Sequence, residues 1–555
     1  MTGGRRRQGD LKLLLAEVIQ EIRLLRGCLL NPDAPAERAR AHEELKHKAA
    51  YIAALAMAGR NSNFDLAAAE KNDEKKTRLF RGLASISSRL HRISDISLNI
   101  LRQFGHLQAP GFLLDYGLDD FFEEISDGLA GVGPALEQEK LDLAVRCARI
   151  EENLDAHYAD RFARIMRELE GGGRPGDLIT TLMIVHYLER VGDIVMEIGE
   201  DLMFVILGEK LRFSQYRALT AGLAAAGRGG HFEAGDFQSI WSGRSGCRIG
   251  VVGAPGQAGA PDGEPVVFKH GPAGKMEKER DNLELWGRQW PGLAPELRAF
   301  VAAEAGGEAS VVLEFIPGPT LRDLFMSHAA ARAEEKLAGS LELMAGLWRE
   351  TRTLRPAAAS FARQAEKRLG SVRALHPHPI NFEGALGRLK IFSIPELLAA
   401  AASLEEGLAA PFSVRIHGDF NLSNIICGLD GAFHFLDLYR SCLSDYVQDL
   451  SVMMLSILRL PLSAAADRTR LAAAAGLVWD YAEKFAAENG DETVAARLAF
   501  GLARSYLTSA RFEARRGAAA QFIAYSRYIW EKLIAHRSSG RPWPDFRLDK
   551  KALYL

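Results

Sequence analysis

A chain of 555 residues exceeds what one hydrophobic core usually supports, so two or more domains are expected. Hydrophobic residues at 48% and charged residues at 25% are ordinary for folded globular protein, and a formal charge of -2 gives no electrostatic reason to name nucleic acid as the main partner. The five cysteines are scattered without a C-x-x-C pair, which excludes a disulfide framework or zinc-finger reading and favours a reducing cytoplasm. No run reaches the ~18 apolar residues of a membrane span, so direct membrane insertion is not expected.

Up to about Leu211 the text reads as long helices with few prolines. In the clearest, from about Pro175 to Lys210, Ile184, Leu188, Val191, Val195, Ile198, Leu202 and Val205 recur at alternating spacings of four and three, one stripe of a helix. Counting 98 positions back from Ile184 reaches Ile86, and Leu90, Ile93, Ser97, Ile100 and Phe104 follow in the same rhythm. This is an internal repeat. Further helices are expected at Leu11–Leu29 and Ala36–Ala58 in the first repeat, and at Leu118–Gln138 and Leu141–Leu169 in the second, giving two three-helix bundles in tandem.

In the second repeat Glu151 and Asp155, and Glu189 and Asp193, stand four apart, which puts each pair of carboxylates on one helix face. Facing bundle helices with such pairs can ligate hard or borderline metal ions, and a solvated acidic face is the plain alternative. The run Tyr187-Leu188-Glu189-Arg190-Val191-Gly192-Asp193-Ile194, with Glu200-Asp201-Leu202 and Gly208-Glu209 beyond it, resembles the signature helix of the PhoU family of phosphate-signalling regulators. The resemblance spans roughly residues 10–211. It implies a transition-metal site and, as partners, a phosphate ABC transporter or a sensor kinase. The first repeat departs from the pattern, with His91 for an acid before Asp95 and Arg102 where the second repeat has Glu200.

Between Ala218 and Asp236 the text turns Ala- and Gly-rich, and residues 212–235 are read as a linker. Short strand patterns then appear at about Ile240–Val252, Pro265–His270 and Ala309–Ile316, followed by helical text from Thr320 to Ala409. Strands at Phe412–Ile416 and Ala432–Asp437 precede further helices to about Arg537. The domain is set at 236–540, with 541–555 as an extended tail.

The strongest chemical signal is Ile416-His417-Gly418-Asp419-Phe420-Asn421-Leu422-Ser423-Asn424, then, after Gly428–Gly431, Phe433-His434-Phe435-Leu436-Asp437. Phosphoryl transfer needs a carboxylate to orient and deprotonate an acceptor hydroxyl, and oxygen ligands to hold magnesium on the phosphates. Asp419 suits the first role; Asn424 and Asp437 suit the second. His417 is expected to orient the loop. Val266-Val267-Phe268-Lys269 places a lysine on an apolar strand within reach of phosphates, with Glu279 on the next helix to pair with it and Glu277 as a rival. Gly243 and Gly246 fit a phosphate-covering turn, although an ordinary hairpin explains them too.

At these residues the chain resembles the aminoglycoside phosphotransferase and choline kinase superfamily, and Asp445 and Asp449-Leu450 complete the pattern. The resemblance implies that Glu314, Phe315 and Ile316, in Val311-Val312-Leu313-Glu314-Phe315-Ile316-Pro317-Gly318, form an interlobe hinge that hydrogen-bonds adenine. The expected architecture is multidomain: PhoU-like all-α tandem three-helix bundles, then an α+β bilobal protein-kinase-like phosphotransferase. The expected activity is an ATP:alcohol phosphotransferase using ATP and Mg2+ on a small hydroxylated acceptor. The alternative is a catalytically silent, nucleotide-binding adaptor in phosphate signalling.

Overall fold

The computed structural model of the chain describes residues 2–31, 35–70, 72–228, 237–239, 246–253, 264–302, 307–327, 330–387, 389–462 and 464–549. It divides into two compact units, Met1–Trp241 with Ile249–Phe268, and Ser242–Arg248 with Lys269–Leu555.

The first unit is built on six long helices: α1 (Thr2–Leu30), α2 (Pro35–Ala69), α3 (Glu74–Phe104), α4 (Asp119–Gln138), α5 (Leu141–Glu170) and α6 (Pro175–Leu207). They follow the two triplets read from the repeat. The stripe that defined the repeat is the core: Ile86, Leu90, Ile93 and Ile100 on α3, and Ile184, Leu188, Val191, Val195, Ile198 and Leu202 on α6, are buried. Each such side chain, withdrawn from water, contributes roughly 1.5–3 kcal/mol. Local signals agree with the boundaries, since Asp73 caps α3 through the N–H of Lys76, Pro175 opens α6, and Gly208 ends it at φ 90°.

Part of the expected linker is a seventh helix, α7 (Phe213–Ala225). Alanine, read there as a sign of irregular chain, is the strongest helix former. The unit also holds β1 (Phe237–Ser239), antiparallel to β2 (Arg248–Val252) over Phe237–Val252 to Ser239–Gly250. The strand expected over 240–252 is therefore the shorter β2, and residues 240–245 lie outside the described residues.

In the second unit the chain leaves β3 (Val266–Pro272) directly into α8 (Ala273–Gln289), then forms the antiparallel pair β4 (Leu297–Val301) and β5 (Glu308–Glu314). Helices α9 (Leu321–Met326), α10 (Ala330–Thr351), α11 (Phe361–Leu375) and α12 (Pro377–Asn381) follow, then a hairpin of β6 (Gly384–Leu386) and β7 (Leu389–Ile391), and α13 (Ile394–Glu405). The segment that carries His417 to Asp437 is framed by β8 (Val414–Ile416), β9 (Ile425–Cys427), β10 (Phe433–Phe435) and β11 (Cys442–Ser444). These pair as two antiparallel ribbons, β9 with β10 and β8 with β11. The unit closes with α14 (Val447–Leu458), α15 (Ala465–Glu488), α16 (Val494–Ala510) and α17 (Arg516–Ser538).

The C-terminal tail is less extended than expected. Trp543–Asp545 forms a 3-10 turn, Phe546 and Leu548 are buried, and the Trp543 ring stacks on His536. Among the described residues no helix is long and apolar enough to cross a membrane.

Where α5 meets α6, a Cβ added at Gly199 would lie 2.6 Å from the Ala148 nitrogen and 2.9 Å from the Ala144 carbonyl oxygen. Those are backbone atoms, which cannot turn aside. Gly199→Ala should therefore force the helices apart, at an overpacking cost of roughly 1–3 kcal/mol that outweighs alanine's better helix propensity. Hydrogen exchange on the full chain should quicken across Leu141–Glu170 and Pro175–Leu207, and unaltered exchange would disprove the tight crossing.

Candidate functional site

Lys269 lies on β3 with 3% of its surface exposed, and a buried ammonium needs anionic partners. It has two: its Nζ bonds Glu279 of α8 and reaches Asp437 Oδ1 at 2.6 Å. The structure thus chooses Glu279 over Glu277. Burial would raise Asp437, but the lysine beside it prevails and holds the carboxyl below its ordinary range. Burial pushes Glu279 up in spite of Lys269. Asp437 adopts φ 63°, ψ 51°, a left-handed backbone that is uncommon for a non-glycine residue and recurs at functional sites.

Helix α8 is tied to the segment after Asp437 by side chains that periodicity alone does not reveal. Asn282 donates to the Leu438 carbonyl at 2.8 Å, and the Trp286 indole donates to Ser441 Oγ at 3.0 Å. Ser441 in turn donates to the Ile416 carbonyl at 2.7 Å, so the helix carrying Glu279 also braces the strand that leads into the catalytic loop.

Asp419 sits half-buried on that loop. Its carboxylate lies 3.3 Å from the Arg440 guanidinium and accepts from Asn421 Nδ2 at 3.3 Å, while its carbonyl accepts from Asn424 Nδ2 at 3.0 Å. The loop is suspended from a buried carboxylate, Asp449 of α14, whose two oxygens accept the backbone N–H groups of His417 and Gly418 at 2.7 and 2.8 Å. Burial pushes Asp449 up to about 7, and those two donors pull it back. Gly418 is required here: φ is 85°, and a Cβ would come 2.3 Å from the Arg440 carbonyl oxygen.

His417 is fully buried with its ring against Trp286, Phe420 and Phe435, and its Nδ1 accepts the Asp419 N–H at 3.3 Å. Burial lowers its pKa. This is the geometry of a residue that orients the loop. Asp445 pairs with Arg497 at 2.8 Å, and Arg497 also bonds Asp491 at 2.6 Å, a buried network behind the loop.

Asn424 is half-buried at the end of a 3-10 turn, and its carbonyl accepts the Leu436 N–H at 2.9 Å, which brings its backbone beside the segment holding Asp437. The donor set of one ionised carboxylate and one amide oxygen suits a hard cation. In the expected hinge the Glu314 N–H donates to Glu296 O at 2.9 Å, Phe315 is half-buried and Ile316 is buried. A Cβ at Gly318 would lie 2.4 Å from the Cys427 carbonyl oxygen, so the chain leaves the hinge through a contact only glycine permits. Gly246 has φ 72° with open space around it, and Gly243 lies outside the described residues.

In the helical unit, Glu151 is pushed up to about 7 by burial, then by Asp155 and Asp193, and Asp155 also raises Glu189 and Asp193. The four expected acids therefore share one neighbourhood. They do not form a ligand cage: Glu189 Oε2 is 3.1 Å from His186 Nδ1, and Asp193 turns toward Arg190 at 3.8 Å. Among the described residues no group of three or more His, Cys, Asp or Glu is arranged to hold a metal ion. In the first repeat Arg89 bonds Glu197 and Asp201 of α6, a cationic bridge between its own helix and the second.

No curated protein matches the chain. Solved structures similar to it include PhoU, a phosphate transport system regulatory protein, from Streptococcus pneumoniae, 19% identical, covering 38% of this chain and 97% of that one with a TM-score of 0.34. PhoU from Pseudomonas aeruginosa is 14% identical over 36% of this chain and 95% of that one, with a TM-score of 0.32. The aminoglycoside phosphotransferase APH(3'')-Id from Streptomyces rimosus ATCC10970 is 19% identical over 53% of this chain and 98% of that one, with a TM-score of 0.35. The model of the phosphotransferase enzyme family matches residues 258–485, so the C-terminal half of this chain contains a domain of that family.

Proposed function

We propose that this protein is an ATP- and magnesium-dependent kinase that moves the γ-phosphoryl group to a hydroxyl of a small molecule, and that its helical half couples the reaction to phosphate signalling. One observation carries the catalytic reading: Lys269 shared between Glu279 and Asp437, with Asp419 presented on a loop fixed by Asp449. That arrangement supplies a fixed cation for the nucleotide phosphates and a separate carboxylate for the acceptor. Asp419 takes the proton from the acceptor hydroxyl as its oxygen bonds the γ-phosphorus. The bond from that phosphorus to the β,γ-bridging oxygen breaks, leaving ADP. Asn424 and Asp437 would hold magnesium, which neutralises charge on the phosphates. Glu314 to Ile316 would receive adenine. The domain limits are proposed as 10–211 for the helical half and 236–540 for the kinase half.

Asp419→Asn should lower kcat by about 10²–10⁴ with ATP affinity retained, because a general base acts in the transition state. Steady-state kinetics beside calorimetry checks this, and undiminished turnover would remove Asp419 from the role of base. Asp437→Ala should weaken ATP binding chiefly when magnesium is present, since it removes a charged oxygen ligand. ATP titrations with and without magnesium, showing the same loss in both, would remove Asp437 from that role.

A further inference from the structure

Several arginines of the second unit stand near the loop that carries Asp419. Arg440 is ion-paired to Asp419 at 3.3 Å. Arg504 lies on α16 and Arg511 caps its C-terminus seven residues on, and Arg504 stacks 5.3 Å over the Phe361 ring at the start of α11. Arg368 lies seven beyond Phe361 on that same helix. Arg504 is pushed down to about 10 by burial, then by Arg440 and Arg368, and Arg511 is lowered by burial and by the same two neighbours. Gln364 of α11 donates to Gln448 at 3.3 Å and Gln448 donates to the Gly418 carbonyl at 3.3 Å, so α11 lies beside the loop that carries Asp419, and the four guanidinium groups are near enough for their charges to be felt.

Two carboxylates offset them, and both are already engaged. Glu405 accepts the backbone N–H groups of Phe361 and Ala362 at 2.6 and 2.8 Å, capping α11. Asp419 is the catalytic base. Among the described residues Arg504 Nε and Nη2 and Arg511 Nε are shut off from solvent with no hydrogen-bond acceptor. Like charges in close array are costly, and an anion among them relieves that repulsion. Guanidinium forks match the paired oxygens of carboxylate or phosphate. None of these arginines stands on β3 or α8, which carry Lys269 and Glu279.

We propose that the phosphoryl acceptor is an anion, a small hydroxylated molecule bearing a carboxylate or phosphate that Arg504, Arg368 and Arg440 hold while its hydroxyl faces Asp419. The inference rests on the kinase reading above and narrows it: a polycationic acceptor is disfavoured by the charge of the site. Its own phosphorylation keeps the same balance, with the proton passing to Asp419 and ADP leaving.

The test uses the full-length protein with the nucleotide site filled by a non-hydrolysable ATP analogue and magnesium, titrated by calorimetry with D-glycerate, glycerol 3-phosphate, glycerol and kanamycin. At least one of the two anions should bind, glycerol and kanamycin should not, and the better anion identifies the headgroup. Arg504→Gln and Arg368→Gln should each weaken that anion about tenfold or more, with Arg504→Lys intermediate. If Arg504→Gln fails to fold, Arg368→Gln on the separate helix α11 decides. The proposal falls if neither anion binds, if glycerol or kanamycin binds more tightly than both, or if the glutamine variants weaken the ATP analogue in place of the anion. Failure of the kinase reading looks different, because the analogue itself would not bind the unaltered protein.

Discussion

An ammonium group withdrawn from water is unfavourable unless carboxylates replace its hydration, and Lys269 is held between two. That requirement links parts of the second unit that are distant in sequence. Glu279 comes from α8, ten residues on, while Asp437 comes from the segment after β10. Once the lysine is buried, α8 must lie where Glu279 reaches it, and Asn282 and Trp286 on the same helix then fix the residues after Asp437. The left-handed backbone of Asp437 is tolerated because it aims the carboxylate at the lysine.

The catalytic loop obeys a second rule of the same kind, with the charges reversed. Among the described residues Asp449 is buried with no ion-pair partner, and two backbone N–H groups of the loop take the place of water. A carboxylate so held fixes the peptide planes of His417 and Gly418, and with them the direction in which Asp419 projects. The ring of His417, packed among Trp286, Phe420 and Phe435, closes the space beneath. Asp419 is thus positioned by groups that do no chemistry themselves.

Much of this was legible in the sequence where a local rule applies. The six bundle helices follow from a period of 3.6 sustained over long runs, and Lys269, Glu279, Asp419 and Asp437 from residue types set in strand and loop context. Strands of three residues, such as β9 and those of the β6–β7 hairpin, are too short to show a period of two, and the five-residue β4, Leu-Arg-Ala-Phe-Val, was missed because its apolar residues do not alternate cleanly. The alanines of 212–235 misled because their helix propensity was weighed less than the neighbouring glycines. Asp449 was read as part of a motif, but its bonds to the loop join residues 31 and 32 positions apart and leave no local pattern. Arginines of α11 and α16 look, in sequence, like ordinary solvated positions.

Like charges crowd together in both units, and burial decides what each crowd means. In the helical unit Glu151, Asp155, Glu189 and Asp193 repel one another, yet Asp193 is 40% exposed and Glu189 and Asp193 have His186 and Arg190 at hand. In the kinase unit the crowded groups are guanidiniums whose inner N–H donors are closed to water and lack acceptors. Protonated arginine cannot shed its charge at ordinary pH. An anionic acceptor, as proposed, would offset that repulsion, and charge, more than shape, would then be the first criterion by which the site selects what it binds.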